Sequence, residues 1–340
     1  MVPAALAAEI RVRRSAAIAR GISMVENARP GFEDLLSLLH PSLGRARRIG
    51  ITGPPGAGKS TLTEGLIRTY RDQGLTVAVV AVDPTSPFTG GALLGDRIRM
   101  ESVALDPGVF IRSMATRGSL GGLATTTGEV CDVVDAGGFD RVIVETVGVG
   151  QTELDVAGTA DSTVLVLVPE SGDGIQTLKS GIMEIGDIFV VNKADRPGAD
   201  RLRQEIEVTL GIRHGNAFRH IRAHHASTGS GGFPPAADRP VSPVLAAIAT
   251  RGEGVAELVA ALDAHHRQLE ASGELLLRRR ERLYRRTRDA VERAARHWVW
   301  QETGAEQAIR DRLDGIVSGR VSPYEVATEV LDGLRQGSRL

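Results

Sequence analysis

A chain of 340 residues, 42% apolar and 24% charged, can bury a sizeable core, and its length suggests roughly two folding units. Lys and Arg total 41 against 42 Asp and Glu, so the formal charge of −1 supplies no global field for nucleic acid or an anionic membrane. The single cysteine, Cys131, excludes an intrachain disulfide and a cysteine-only zinc site, and 4% aromatic content leaves little surface for stacking on bases.

Residues 1–43 read as an N-terminal helical extension. Ala4–Arg20 is rich in Ala and Arg, and Phe32, Leu35, Leu36, Leu38 and Leu39 form an apolar stripe that Pro41 stops. The order of apolar Val2–Ala8 followed by Arg11, Arg13 and Arg14 reverses that of a secretory signal. No apolar run approaches the roughly 18 residues that cross a bilayer, so a cytoplasmic protein is expected.

Residues 44–264 alternate short apolar runs with helix-length amphipathic stretches. The runs Arg48–Thr52, Val77–Val82, Arg141–Val144, Ser162–Val168 and Ile188–Val191 predict strands buried on both faces. Such strands belong to a mostly parallel α/β sheet flanked by helices. Gly211–Ser242, with its glycines and prolines, breaks the rhythm and reads as a long surface loop.

The first strand runs into Gly53-Pro54-Pro55-Gly56-Ala57-Gly58-Lys59-Ser60-Thr61, and a helix over Leu62–Gln73 follows. This is G-x-x-x-x-G-K-[ST] in its strand–loop–helix setting. Glycines let the backbone wrap an anion with its N–H groups turned inward, and the helix N-terminus adds partial positive charge. Lys59 is then placed to neutralise β- and γ-phosphates, and the Ser60 hydroxyl to ligate Mg²⁺. Two carboxylates, Asp83 and Glu145, end buried strands at the edge where parallel sheets bind ligands, which suits the metal. Gly148, in Glu145-Thr146-Val147-Gly148, suits an amide that contacts a γ-phosphate and swings away when that group leaves.

Asn192-Lys193-Ala194-Asp195 follows the strand Ile188–Val191, about 130 residues beyond the phosphate loop. An aspartate there accepts from the guanine ring N–H and exocyclic amine together, whereas adenine offers the wrong donors. Asn192 braces the loop and the Lys193 stem covers the base. GTP and GDP are the expected nucleotides.

Residues 265–340 read as a C-terminal helical arm. Nine arginines crowd Arg278–Arg296, while Leu276, Leu283, Tyr284, Val291 and Trp298 recur at near-helical spacing. That pattern favours a dimerisation or client-docking helix over nucleic-acid binding. A last helix over Pro323–Leu334 takes Ser322 as its N-cap.

The runs Asp83-Pro84-Thr85-Ser86 and Thr89 through Met100, then Gly118-Ser119-Leu120-Gly121-Gly122 and Glu145 through Gln151, are similar to those of MeaB/ArgK-type GTPases. This is the family of methylmalonyl-CoA mutase-associated GTPases and of the methylmalonic aciduria type A protein, and the resemblance spans roughly residues 20–300. It implies a dimeric P-loop GTPase of the SIMIBI class, using Mg²⁺ and GTP. Such proteins chaperone a cobalamin-dependent acyl-CoA mutase, gating cofactor loading and protecting it; the cobalamin travels with the client. Relatives also serve mutases of isobutyryl- or 2-hydroxyisobutyryl-CoA. By the same resemblance, Asp83, Asp96 and Glu145 organise the metal. Arg97, Gln151, Asp173 and Lys179 fall at switch or client-signalling positions, Glu170–Lys179 being the third switch.

The family's Ser-Ala motif reads here Ile248-Ala249-Thr250, so the Ala249 amide is expected to back the guanine with Thr250 beside it. Lys179 is followed by Ser180 rather than a second lysine. Val149 stands where many GTPases carry a water-orienting glutamine, and Gln151 comes two residues later, which predicts slow intrinsic turnover. Two rival readings are an ATP-using transport-associated kinase or ATPase and a metallochaperone GTPase. His214, His220, His224 and His225 cluster in the irregular segment, but no carboxylate or cysteine accompanies them to make a metal site.

Overall fold

A computed structural model of the chain describes residues 2–83, 100, 102–115, 123–146, 158–169, 181–213, 242–335 and 337. Seven strands form one sheet in the order β3-β2-β4-β1-β5-β6-β7. They are β1 Arg47–Thr52, β2 Val77–Asp83, β3 Val109–Ala115, β4 Arg141–Thr146, β5 Ser162–Leu167, β6 Ile188–Asn192 and β7 Val244–Ala247. Every pairing is parallel. β4 and β5 are buried at every position, as the continuous apolar runs require of a sheet covered on both faces. The two strands without such a run, β3 and β7, are the sheet's edges; half-exposed positions leave them no unbroken apolar signal.

One face of the sheet is covered by α1 Pro3–Arg11, α2 Ser15–Glu26, α3 Phe32–Leu39 and α5 Leu123–Ala136. Ile10, Ile18, Ile22, Leu35 and Leu39, all fully buried, pack in one cluster with Val130 and Val133 of α5 and Val80, Val82, Val142 and Val144 of the sheet. Each such side chain stabilises the fold by about 1.5–3 kcal/mol. The N-terminal segment is thus a layer of the core. The Ala- and Arg-rich stretch Ala4–Arg20 is divided between α1 and α2, where Arg13 turns left-handed at φ 56° and donates Nε to the Gly137 carbonyl at 3.0 Å. The opposite face carries α4 Lys59–Asp72 and α7 Val255–Ser272, whose Leu62, Leu66, Leu258 and Leu262 meet Ile49, Ile51, Val164 and Val166. Helix α6, Ala199–Arg213, packs Leu202 and Ile206 on β5 and β6.

Charged groups close the end of the sheet where the strands begin. Arg48, 8% exposed, donates Nη2 to Asp132 Oδ1 at 2.7 Å and Asp135 Oδ2 at 3.0 Å. Burial works against its charge, yet the facing Asp132 and Asp135 carboxylates hold its pKa above the ordinary arginine value. Arg48→Met would leave two buried carboxylates without their cation. The expected cost is about 3–5 kcal/mol, read as a lower urea midpoint at unchanged m-value. An unchanged midpoint would contradict the pairing.

The chain divides into two compact units, Met1–Arg280 and Glu281–Leu340. The expected boundary at 264/265 falls inside α7, whose Leu262 and Leu269 are buried. The next helix, α8 Glu274–His297, begins within the first unit. There Arg278 grips Asp187 at 3.0 and 3.1 Å, and Arg279 grips Asp161 at 2.8 and 3.2 Å. In the second unit, α9 Ala305–Val317 and α10 Pro323–Arg335 enclose a small core of Ala305, Val326 and Val330. Ser322 caps α10 as its sequence predicts: its Oγ accepts from the Glu325 amide at 3.1 Å, and Glu325 returns a carboxylate to the Ser322 amide at 2.7 Å. Among the described residues no helix is long and apolar enough to cross a membrane.

Candidate functional site

The carboxyl ends of β1 and β6 meet the loop 53–58, and that of β4 meets the start of the helix that follows it. Two of its glycines are dictated by close approach. Gly53 has φ 139°, and a Cβ there would lie 2.1 Å from the Val166 carbonyl oxygen of β5. Gly58 has φ 86°, and its Cβ would lie 2.3 Å from Asn192 Nδ2 of β6. No other residue type fits either place. Pro54 and Ala57 are buried within the loop, whereas Pro55, Gly56 and Thr61 face solvent.

Helix α4 starts at Lys59, which is 5% exposed and donates Nζ to the Gly53 carbonyl at 2.8 Å and the Pro54 carbonyl at 3.0 Å. Ser60 Oγ donates to Glu145 Oε1 at 2.6 Å. Thr63, one turn further along α4, donates Oγ1 to Glu145 Oε2 at 2.7 Å. Glu145 is 2% exposed on β4, opposite Ile51 of β1 in register. Asp83 is the last residue of β2, one beyond Val82, whose register partner is Thr146. Its backbone therefore ends at the edge that carries Glu145. Gly148, Asp96, Arg97, Gln151, Asp173 and Lys179 lie outside the described residues, as do His214, His220, His224 and His225.

Asn192, 2% exposed at the end of β6, joins two loops. Its Nδ2 donates to the Ala57 carbonyl at 2.8 Å, and its Oδ1 accepts from the Ala249 amide at 3.1 Å. The Ala249 amide, expected to back the guanine, donates to Asn192 Oδ1, and the exposed Thr250 comes next in the short turn Ala249–Arg251. Lys193 adopts φ 56° and reverses the chain directly after β6. Asp195 has a 40% exposed side chain, 3.8 Å from Arg251, itself 60% exposed. So long and open a pair holds the carboxylate only weakly.

The residues present fit a nucleotide-bound magnesium. Oxygen donors are what that ion takes, and Ser60, donating its hydrogen bond to Glu145, keeps its lone pairs for a cation. Among the described residues no three or more His, Cys, Asp or Glu side chains gather as a metal-holding group. A protein supplying one or two oxygen ligands, with phosphates and water completing the shell, needs none. Thr63 and the double hold of Asn192 were not read from the sequence. Thr63 sits three residues after Ser60, a spacing that places both on one helix face and could have pointed to it.

A glycine loop bound between a parallel strand and a helix N-terminus, with Lys and Ser opening that helix, defines a P-loop nucleotide-binding protein. The sequence profile of "Methylmalonyl Co-A mutase-associated GTPase MeaB" matches residues 18–304, and the chain belongs to that family. A Pyrococcus abyssi protein provisionally named a GTPase is 46% identical over 305 residues, covering 90% of this chain and 82% of that protein. The mouse "Methylmalonic aciduria type A homolog, mitochondrial" is 33% identical over 307 residues, covering 85% of this chain and 65% of that one. The crystal structure of a "LAO/AO transport system kinase" superposes with a TM-score of 0.65 at 26% identity, over 98% of this chain and 97% of that one.

Proposed function

We propose that this GTPase binds GTP and Mg²⁺ across the 53–61 cradle and the 192–195 turn, and that it serves as a chaperone of a cobalamin-dependent acyl-CoA mutase. One observation carries the site: Asn192 bonds the phosphate loop and the Ala249 turn at once, so the two recognition elements share one rigid support. Lys59 and the loop amides receive the polyphosphate, and Asp195 reads the guanine edge. Ser60 and Glu145, with Asp83 at the neighbouring strand end, orient the metal side; when bound, Mg²⁺ neutralises charge on the departing phosphates. Gly148, Asp96, Arg97, Gln151, Asp173 and Lys179 belong to the proposal through the resemblance alone. Cobalamin stays with the client.

The mutase is supported by the family's description, and a homodimer by Leu283, Tyr284, Trp298, Val317 and Tyr324, exposed apolar side chains of the second unit. An ATP-using reading draws on the name of the LAO/AO kinase, and competition between GTP and ATP for the site separates it. The client is tested by GTP turnover with and without a cobalamin-dependent acyl-CoA mutase. Turnover by the chain alone should be slow and should rise at least about tenfold on addition, since a partner completes the transition-state contacts. Fast turnover indifferent to any mutase of this class would remove the client.

A further inference from the structure

Threonines inside helices ordinarily return their hydroxyl to the carbonyl four residues back. Thr69, Thr209, Thr287 and Thr328 do so here, donating to Gly65, Glu205, Leu283 and Tyr324 at 2.7–3.0 Å. Thr63 does not. Fully buried on α4, it donates across to Glu145 Oε2 of β4 at 2.7 Å, while Ser60 donates to the other oxygen at 2.6 Å.

We propose that Thr63 is a positioning residue for the metal side of the nucleotide site. Two hydroxyls on successive turns of one face of α4 fix both oxygens of a carboxylate, and with them its plane. Hydroxyl donors orient a carboxylate without cancelling its charge. With Oε2 pinned by Thr63, Oε1 stays aimed at Ser60 and holds that hydroxyl by its proton. The Ser60 lone pairs then point away from Glu145, toward where the nucleotide's divalent cation binds. Removing the Thr63 hydroxyl takes away the donor that pins Oε2, and the Ser60 hydroxyl faces a less firmly oriented carboxylate. Partners that orient metal ligands in this way are worth about 10–100-fold in metal affinity. The proposal rests on the reading of 53–61 as a nucleotide–Mg²⁺ site.

The test uses the full chain and mant-GDP fluorescence, titrated with Mg²⁺ and repeated in EDTA. Thr63→Val and Thr63→Ala remove the hydroxyl, one keeping the volume and one avoiding any crowding; Thr63→Ser keeps it. Either hydroxyl-free variant should raise the Mg²⁺ concentration for half-maximal tightening about tenfold. In EDTA its mant-GDP affinity should stay that of the parent, and Thr63→Ser should restore the parental Mg²⁺ midpoint. A merely structural threonine would leave the midpoint in place, or weaken binding equally with and without metal; either result overturns the proposal, as does a shifted midpoint in Thr63→Ser. Failure of the parent chain to bind mant-GDP at all overturns the nucleotide reading together with it. Parental binding with an unshifted Thr63→Ala midpoint overturns this proposal alone.

Discussion

Lys59→Ala is expected to weaken GTP binding by about 10²–10³-fold while leaving guanosine binding unchanged. The magnitude is that of a buried, preorganised charged donor lost from an anion site. The location of Lys59 already argues for such a role. A cation in the first turn of a helix faces the positive end of the dipole, which costs about 0.3–1 kcal/mol instead of stabilising. The ammonium, almost wholly buried, is steadied by the Gly53 and Pro54 carbonyls, which hold it over its own loop. A stem that spans the loop places the charge where the proposed function puts the terminal phosphates. Alanine is the better helix former at that position, so the fold should survive. Isothermal titration with GTP and with guanosine separates phosphate recognition from base recognition. Equal losses for both ligands would indicate a collapsed loop, and no loss for GTP would remove Lys59 from the site.

Asp195→Ala should abolish discrimination between GTP and ITP. Guanine offers the ring N–H and the exocyclic amine to one carboxylate; hypoxanthine keeps the first and lacks the second. Each hydrogen bond to a charged group is worth about 1.5–3 kcal/mol, so losing both should weaken GTP about 10²–10⁴-fold. ITP should lose only one such bond, which brings the two ligands to similar affinity. Asp195 lies at the open end of the turn and is only loosely paired with Arg251, so its removal disturbs no buried partner. Competition against mant-GDP by GTP, ITP and ATP reads all three affinities. Retained preference for GTP over ITP in the variant would move guanine recognition elsewhere.

The legible parts of the fold were those written in contiguous residues. Val77–Val82 and Ile188–Val191 announce buried strands because both faces of a covered sheet demand apolar side chains in succession. β3, with Arg112 and Ser113 in its middle, and β7, four residues long, escape that signal because an edge strand is wetted along one side. The stripe Phe32–Leu39 was visible as a helix, but nothing local says that it caps the same core as Val80 and Val142.

The candidate site divides the same way. Gly53 to Thr61 and Asn192 to Asp195 can be read directly, because anion wrapping and guanine pairing each need fixed residue types at fixed short spacing. Residue type and short spacing therefore carry the proposed chemistry: a phosphate loop, a serine for the metal side and an aspartate for the guanine edge. How these parts hold one another is visible in the folded chain alone. Asn192 meets Ala57 across 135 residues and Ala249 across 57, and Thr63 meets Glu145 across 82. Contacts at such separations leave no periodic trace in the chain, because strand order and register alone bring the partners together.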